Sequence, residues 1–470
     1  MIRRLLLLAL PLLLLAAVLL GPSYLRYMRT RGAVPAGVRV AGLEFGRADA
    51  AEVAAELNRR FAEPVLVYYG DQRIILRPQV LDFQVDAAAI LAEAHGYETP
   101  GHLLRVWVAE ALDRPVPAVD VPLRYTLDRD RLDAWLADVA ARYDRPATPA
   151  EAAADGLAIL PGRAGRQLDV AASRDRLLTA LSDPNTRTVN LVVRETAAPP
   201  PGRELLADLL RARMDRFDGV AGLFLHHLPT GQEVAINADV AYSGMGTLKL
   251  AILIEVMRKL DPPLAPYTTQ MISQTVALGG TSAANELLAL IGDGDADAGA
   301  ATLNRSLRRL GLQNTFMAAP FDRTGPAVRT PANTRTDIWA DPDPYIQTTP
   351  REMGLLMQML VECSRGGGTL LAAYRDQLTQ AECQQLLGYL QLNPAADMIV
   401  AGVPKETQAI HRHGYAQDTR GDVAAIWSPA GPYVLSVFLY RRTWLDWTLA
   451  SETMADLSRI AWSYFALLGE

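Results

Sequence analysis

Lys249 is the residue whose type and position most clearly suggest chemistry. It is one of three lysines in a chain with 43 arginines, and five apolar residues, 250–254, follow it directly. Because lysine is rarely buried without a partner, a solvated helix position is the ordinary interpretation. The apolar run and the scarcity of lysine favour a cation that faces a pocket instead.

Arg412 lies between two histidines, His411 and His413, on a predicted strand. Since side chains alternate along a strand, the two histidines share one face and Arg412 lies on the other. Two histidines at this spacing can bind a metal, but no third ligand is evident, so the sequence predicts neither a metal site nor a cofactor. It leaves open whether Arg412 or the histidines border a pocket.

Cys363 and Cys383 are the two cysteines of the chain, and a glycine-rich connection separates the predicted helices that carry them, 353–361 and 379–390. In an oxidising compartment they would form a disulfide, which closes a loop of roughly 20 residues and stabilises the fold by about 3 kcal/mol. Two reduced, half-buried thiols are the alternative. We predict the disulfide if the chain is exported.

Composition restricts the class of protein. The chain has 470 residues, of which 50% are apolar and 21% charged, with a formal charge of -6. These values indicate several globular domains rather than a disordered chain. No block of five like charges occurs, so a nucleic-acid partner is not expected. Nothing in the sequence predicts the oligomeric state.

The first 30 residues are expected to be a membrane anchor. Arg3 and Arg4 precede the apolar run Leu5–Leu20, and a helix continued to residue 25 reaches the roughly 30 Å of a hydrocarbon core. We predict a single-pass transmembrane helix over residues 5–25. A cleaved signal peptide is the alternative.

Two small α+β units are predicted next, over residues 35–115 and 116–197. Each contains strands and amphipathic helices, and two segments, 84–88 and 167–172, resemble each other at an offset of about 84 residues. This similarity suggests a duplication.

The first unit resembles the peptidoglycan-binding domain found in VanW-type proteins and beside L,D-transpeptidase domains. The matching segments are 37–46 and 81–86, which are rich in glycine and apolar residues. The resemblance implies either a peptidoglycan-binding unit or a spacer that holds the next domain away from the membrane.

A proline-rich linker, 198–203, leads to a domain over residues 204–470. Its predicted order is a helix, a strand hairpin, a long helical middle, two strands and a final helix from Trp444 to Leu468. This order predicts an antiparallel sheet flanked by helices, with an all-α lobe. The whole chain is thus expected to be a multidomain α+β protein.

The element order and several local segments of the last domain resemble the class A β-lactamase and penicillin-binding-protein family. The matching segments are 241–249, 281–288, 310–312, 348–353 and 411–414. In that family a serine at a helix start attacks an acyl carbon, and a lysine one turn later activates it. A Ser-Asp-Asn loop relays protons, and a Lys-Thr-Gly strand binds the substrate carboxylate.

The resemblance assigns roles to particular positions. Lys249 matches the activating lysine, and Arg412-His413-Gly414 matches the Lys-Thr-Gly strand, where arginine can still bind a carboxylate. Gly279-Gly280-Thr281 matches the Ser-Asp-Asn loop, with Asn285 just beyond it. The backbone N–H groups of residue 246 and Tyr415 match the oxyanion donors.

The nucleophile and the relay serine are missing. Gly246 occupies the nucleophile position and Gly279 the relay position. Ser243 is a weak candidate to replace the nucleophile, and Thr247 a weaker one. No glutamate occurs between Glu286 and Glu352, so the candidates for the acid that activates water are three aspartates, Asp337, Asp341 and Asp343.

Two functions remain open on the sequence alone. One is a catalytically degenerate member of the family, anchored in the cell membrane with its body outside, that binds peptidoglycan or its peptides. The other is an active β-lactamase or D-Ala-D-Ala peptidase with an unusual nucleophile. On the first interpretation, restoring serine at Gly246 would allow slow labelling by penicillin without turnover.

Overall fold

The computed structural model describes residues 21–22, 24–25, 33–35, 37–46, 48–111, 114–115 and 118–469. All but four residues of the predicted anchor, 5–25, lie outside these ranges. Within the described ranges no helix is both long enough and apolar enough to span a bilayer. The chain forms two compact units, an N-terminal unit (residues 1–148 and 164–197) and a C-terminal unit (149–163 and 198–470).

The N-terminal unit alternates short strands with amphipathic helices. Its described helices are α1 (Ala50–Ala62), α2 (Ala87–Gly96), α3 (Pro100–Ala111), α4 (Arg129–Tyr143) and α5 (Val170–Ser182). Its described strands are β1 (Val38–Val40), β2 (Val65–Tyr69), β3 (Gln72–Leu76), β4 (Gln84–Val85), β5 (Val119–Val121), β6 (Tyr125–Thr126), β9 (Gly165–Leu168), β10 (Thr188–Asn190) and β11 (Val193–Thr196).

The two predicted α+β units, 35–115 and 116–197, are interleaved in the structure instead of lying in sequence. Strand β1 from the first stretch pairs in parallel with β5 from the second, and β10 from the second pairs in parallel with β2 from the first. One hydrophobic core contains side chains from both stretches, including Leu57, Leu136 and Leu177. Parallel pairing between the stretches therefore places them in one unit, and a boundary at residue 115 does not separate two cores.

The segments that resemble each other in sequence also form the same local structure. In the first, β4 ends before Asp86, whose carboxylate accepts a hydrogen bond from Ala89 N and caps α2. In the second, β9 ends before Asp169, which accepts from Ala172 N and caps α5. An aspartate at this position satisfies a free N–H of the first helical turn, which stabilises the helix by about 1 kcal/mol.

The C-terminal unit contains a sheet and many helices. Its described helices are α6 (Arg203–Asp215), α7 (Lys249–Lys259), α8 (Pro266–Ala277), α9 (Thr281–Ile291), α10 (Ala296–Arg309), α11 (Pro350–Ser364), α12 (Gly368–Ala373), α13 (Gln380–Leu390) and α14 (Trp447–Leu468). Its described strands are β7 (Glu151–Ala152), β8 (Ile159–Leu160), β12 (Val220–His227), β13 (Gln232–Ile236), β14 (Tyr242–Ser243), β15 (Phe316–Met317), β16 (Ile346–Thr348), β17 (Ala409–Tyr415), β18 (Thr419–Ser428) and β19 (Gly431–Tyr440).

An antiparallel five-stranded sheet divides this unit into layers. Its strand order is β13-β12-β19-β18-β17, so β17 lies at one edge. Side chains alternate along β19: Leu435 and Val437 pack with helices α6 and α14, whereas Val434 and Phe438 pack with the helical lobe of α7 to α13. The predicted sheet, its flanking helices and the α lobe are thus confirmed.

Two details of the predicted boundaries differ from the structure. The last helix begins at Trp447, not Trp444, because the Asp446 carboxylate accepts a hydrogen bond from Leu449 N and caps it there. Residues 149–163, which the sequence placed before the linker, belong to the C-terminal unit. Their hairpin of β7 and β8 is held there by a hydrogen bond from Ile159 N to Ser463 Oγ.

Cys363 and Cys383 form a disulfide between α11 and α13, with their Cα atoms 5.9 Å apart. Both residues are buried in the core of the helical lobe. The bond therefore crosslinks two helices that also pack against α7, which carries Lys249.

We predict that replacing both cysteines by serine lowers the free energy of unfolding of the C-terminal unit by about 3 kcal/mol. The loop between them spans 20 residues, and opening it returns conformational entropy to the unfolded chain. Denaturant unfolding of oxidised wild type, reduced wild type and the Cys363→Ser/Cys383→Ser variant measures this. Equal midpoints for all three would contradict the prediction.

Candidate active site

Lys249 projects from the start of a helix, and the 3₁₀ turn just before that helix packs against the edge strand of the sheet. Residues Met245–Leu248 form a 3₁₀ turn, and α7 begins at Lys249. Residues three apart in a 3₁₀ turn lie on one side, so Gly246 and Lys249 face the same region. Met245 has a φ of 48°, the left-handed conformation that non-glycine residues adopt at a cost of roughly 1–2 kcal/mol. Such strain is concentrated at functional sites.

The ammonium group of Lys249 is buried and bonded to backbone. Its Nζ donates to the carbonyl oxygen of Gly279 at 2.5 Å and lies 5.3 Å from the ring centroid of Phe321. The side chain is 3% exposed. Burial and the nearby charge of Arg412 lower the pKa of Lys249 to about 8, against an opposing effect of Asp322.

Arg412 faces the same region from strand β17. Its Nε donates to the carbonyl oxygen of Gly246 at 3.3 Å, and its Nη1 to that of Val276 at 3.0 Å. Burial lowers the pKa of Arg412 to about 10, so the guanidinium stays charged at neutral pH. The sequence left open whether Arg412 or the histidines border a pocket. In the structure the side chain of Arg412, not the imidazole of His411, points towards Lys249.

Lys249 and Arg412 line one cleft of about 380 Å³. Most of the predicted site residues line it as well; its described lining is Gly246, Lys249, Val276, Ala277, Leu278, Gly279, Thr281, Asn393, Pro394, Ala395, Arg412, His413, Gly414 and Tyr415. No aspartate or glutamate is among them. Over the described part of the chain, neither Lys249 nor Arg412 has a carboxylate at ion-pair distance, so the cleft holds two cations that are not directly paired. Asp322 and Asp422 favour the charged forms of Lys249 and Arg412, but burial outweighs them.

Gly246 and Gly414 are in direct backbone contact across the cleft. A Cβ atom placed on Gly246 would lie 2.8 Å from the carbonyl oxygen of His413 and 3.2 Å from Cα of Gly414. A Cβ atom placed on Gly414 would in turn overlap the amide nitrogen of Gly246. The position expected for a nucleophile is therefore occupied by backbone of β17, and a serine there requires the strand to move.

The two residues considered as replacement nucleophiles are engaged elsewhere. Ser243 lies in β14, is 6% exposed, and its Oγ accepts a hydrogen bond from Asp343 N at 2.9 Å. Thr247 is fully buried, and its hydroxyl donates to the carbonyl oxygen of Gly244. Neither residue is among those that line the cleft.

Asn285 does not reach the cleft but positions a residue that does contact Lys249. Its side-chain amide accepts from Phe321 N at 2.9 Å and donates to Phe321 O at 3.0 Å. This pair of bonds holds the Phe321 ring near the Lys249 ammonium. The role of Phe321 was missed from the sequence, because only the fold brings residue 321 next to residue 249.

The three aspartates considered as water-activating acids lie away from the cleft. Asp337 pairs with Arg335 at 2.6 Å, which holds the pKa of that carboxyl well below its usual range. Asp343 accepts hydrogen bonds from Tyr345 N and Ile346 N, and Asp341 is exposed. The carboxyl group that influences Lys249 is that of Asp322 instead.

The side chains of His411 and His413 leave β17 on the face opposite Arg412, although His413 is also among the residues that line the cleft. The ring nitrogens of His411 contact two acceptors, Asp422 Oδ1 at 3.0 Å and the carbonyl oxygen of Ala395 at 3.2 Å. Burial opposes the charged form of His411, but Asp422 and the two hydrogen bonds outweigh it and raise its pKa. Two acceptors, one at each ring nitrogen, favour the imidazolium form, in which both nitrogens donate. Among the described residues no group of three or more His, Cys, Asp and Glu could hold a metal.

The imidazolium of His411 fixes one wall of the cleft. Segment 393–395 lines the cleft, and it is tied to β17 by the bond from His411 to Ala395 O and by a bond from Asn393 Nδ2 to the carbonyl oxygen of His411. This wall was not predicted from the sequence, although Asn393-Pro394 is a typical loop signal.

Comparisons with known proteins agree with this architecture. Residues 262–465 match the model of the Beta-lactamase enzyme family, starting beyond Gly246 and Lys249, and residues 76–190 match the model named "Putative peptidoglycan binding domain". None of the curated proteins compared with the chain matches it.

Two solved structures are similar in fold. The last common ancestor of Gram-negative bacteria class A beta-lactamase is 23% identical, with a TM-score of 0.42, over 55% of this chain and 97% of that chain. The penicillin-binding protein PBP-A is 19% identical, with a TM-score of 0.44, over 57% of this chain and 98% of that chain.

The two family matches give the predicted order of domains. Residues 262–465, within the C-terminal unit, match the beta-lactamase enzyme family, and they follow a region, 76–190, that matches the peptidoglycan-binding family.

Proposed function

We propose that this protein is a non-hydrolytic member of the beta-lactamase family that binds a carboxylate group of peptidoglycan peptides in the cleft of Lys249 and Arg412. The observation that carries the proposal is the pair of buried cations without a carboxylate partner among the described residues. Burying a charge without a counter-charge is costly. An anionic ligand that enters the cleft supplies that counter-charge.

Absence of hydrolysis follows from the residues at the reaction centre. Gly246 offers no nucleophile, and the neighbouring backbone of His413 leaves no room for one. Gly279 offers no hydroxyl to pass a proton, and its carbonyl group already holds the Lys249 ammonium. Binding without bond cleavage is what the remaining groups can do.

Peptidoglycan is the proposed partner, because the preceding region matches a peptidoglycan-binding family. The proposed location is the cell membrane, with residues 5–25 as a single-pass anchor and the body outside. Support comes from the apolar run Leu5–Leu20 and from the buried disulfide, which persists in oxidising compartments.

We predict that Arg412→Gln weakens binding of a pentapeptide ending in D-Ala-D-Ala roughly 10- to 100-fold, the usual effect of losing a hydrogen bond to a charged group. Lys249→Met should act similarly. Calorimetric titration measures the affinity for the pentapeptide as the free acid and as the C-terminal amide. Wild type should bind the amide as weakly as the two variants bind the free acid. Arg211→Gln is the matched control, because the Arg211 side chain lies on the exposed side of α6. Equal affinity for acid and amide would refute the carboxylate site.

The same titration against pH tests the part played by Lys249. Because its pKa is about 8 in the free protein, the amine loses its charge as pH rises above 8, whereas Arg412 stays charged. Affinity for the acid should therefore fall between pH 7 and pH 9. In Lys249→Met this fall should disappear. A pH-independent wild type would show that Lys249 does not contact the anion.

We predict that neither wild type nor Gly246→Ser forms an acyl-enzyme with fluorescent penicillin. This expectation corrects the one from sequence, because a Cβ at residue 246 meets the carbonyl oxygen of His413. Gly246→Ser should also lower the unfolding temperature, whereas Gly388→Ser should not, since Gly388 on α13 has open space around it. If the folded Gly246→Ser protein carries the fluorescent penicillin label on a gel, β17 can move away from residue 246 and the prediction is wrong.

We predict that the full-length protein sediments with membranes and that protease added to intact cells removes the C-terminal unit. The reason is the apolar run at residues 5–20, which a hydrocarbon core accommodates. Immunoblots against the C-terminal unit after fractionation and protease treatment measure both. Intact protein in the cytosolic fraction would exclude the proposed location.

A further inference from the structure

Tyr415 is an exposed aromatic ring at the mouth of the cleft. It ends β17 directly after Gly414, lines the cleft, and is 66% exposed. Lone exposed aromatic residues are common and need no explanation. Two further features, its rigid support and its position next to the two cations, distinguish Tyr415 from such residues.

The ring of Tyr415 is held from behind by a fixed cluster. It packs edge-on against Trp447, with 5.7 Å between centroids, and the Arg420 guanidinium lies 5.8 Å from its centroid and 5.6 Å from that of Trp447. Arg420 is 5% exposed and donates to the carbonyl oxygens of Ala416, Thr419 and Leu445. Trp447 Nε1 donates to Asp397 at 2.9 Å.

An aromatic face held in this way loses little conformational entropy when a ligand covers it. The two sides of Tyr415 differ, since one is backed by Trp447 and Arg420 while the remainder of the ring is exposed. Flat apolar faces of this kind suit the C–H face of a sugar ring, which combines a hydrophobic patch with hydroxyl groups that stay in water.

We propose that Tyr415 is the stacking platform for the sugar ring of a muramoyl peptide whose carboxylate lies at Arg412 and Lys249. This inference rests on the proposed function and specifies its ligand. Arg412 and Tyr415 are three residues apart on β17, so their Cα atoms are roughly 10 Å apart. Their side chains leave opposite faces of this edge strand, but both residues line the cleft. An extended tripeptide covers the same distance, so a sugar joined to a tripeptide reaches Tyr415 when the peptide's terminal carboxylate is at Arg412.

Calorimetric titration of the full-length protein with N-acetylmuramoyl-tripeptide and with the same tripeptide lacking the sugar tests the proposal. Wild type should bind the sugar-bearing ligand roughly tenfold more tightly, the scale of one aromatic contact. Tyr415→Ala should lose this tenfold gain and keep its affinity for the bare tripeptide. Tyr415→Phe, which retains the ring, should keep the gain.

Three outcomes would overturn the proposal, and they separate it from the proposed function. If wild type binds both ligands with equal affinity, the stacking platform is rejected, but the proposed carboxylate site is still supported. If Tyr415→Ala loses affinity equally for both ligands, Tyr415 maintains the structure of the cleft and does not bind the sugar. If wild type binds neither ligand, the proposed function fails and the platform with it. Arg412→Gln should lower the affinity for both ligands equally and keep the tenfold difference between them.

Discussion

The backbone contact between Gly246 and Gly414 determines the geometry of the whole cleft. It brings the 3₁₀ turn that precedes α7 against the edge strand β17 so closely that a Cβ atom on either glycine would collide with the opposite backbone. Lys249 on the helix and Arg412 on the strand are thereby placed at the same opening. The contact that brings the charged groups together also leaves little space for a side chain at residue 246, so the proposed binding and the proposed absence of hydrolysis have a common structural basis.

Two like charges in one cleft are tolerated because backbone dipoles surround them. Lys249 donates to the carbonyl of Gly279, and Arg412 donates to those of Gly246 and Val276. These bonds replace part of the lost hydration but supply no negative charge, and the pKa of each cation is accordingly lowered. On the opposite face of β17, His411 has a full counter-charge in Asp422. Asp422 also favours the charged form of Arg412 but forms no ion pair with it, so β17 carries a directly paired cation on one side and an unpaired one on the other.

The sequence predicted the residues that line the cleft better than it predicted what supports them. Lys249, Gly279 and Arg412 lie in segments that resemble motifs of a known family, and the apolar run 250–254 predicts the helix that Lys249 begins. The contact of Phe321 with Lys249 joins residues 72 positions apart through Asn285, which no local pattern reveals. The parallel pairing of β1 with β5 and of β10 with β2 escaped prediction for the same reason, since pairing partners distant in sequence leave no periodic signal.

The structure of the cleft costs folding free energy, and this cost is an argument about its function. Met245 is held in a left-handed conformation, and two cations are desolvated without a carboxylate partner among the described residues. A packing scaffold gains nothing from either feature, since apolar side chains of similar volume fill such a space at lower free energy. A ligand that carries a carboxylate, as proposed, would pair with both cations, raise the pKa of Lys249 and add its binding free energy to the stability of the fold. The buried cations that lower the stability of the fold are therefore the groups that the proposed anion would stabilise.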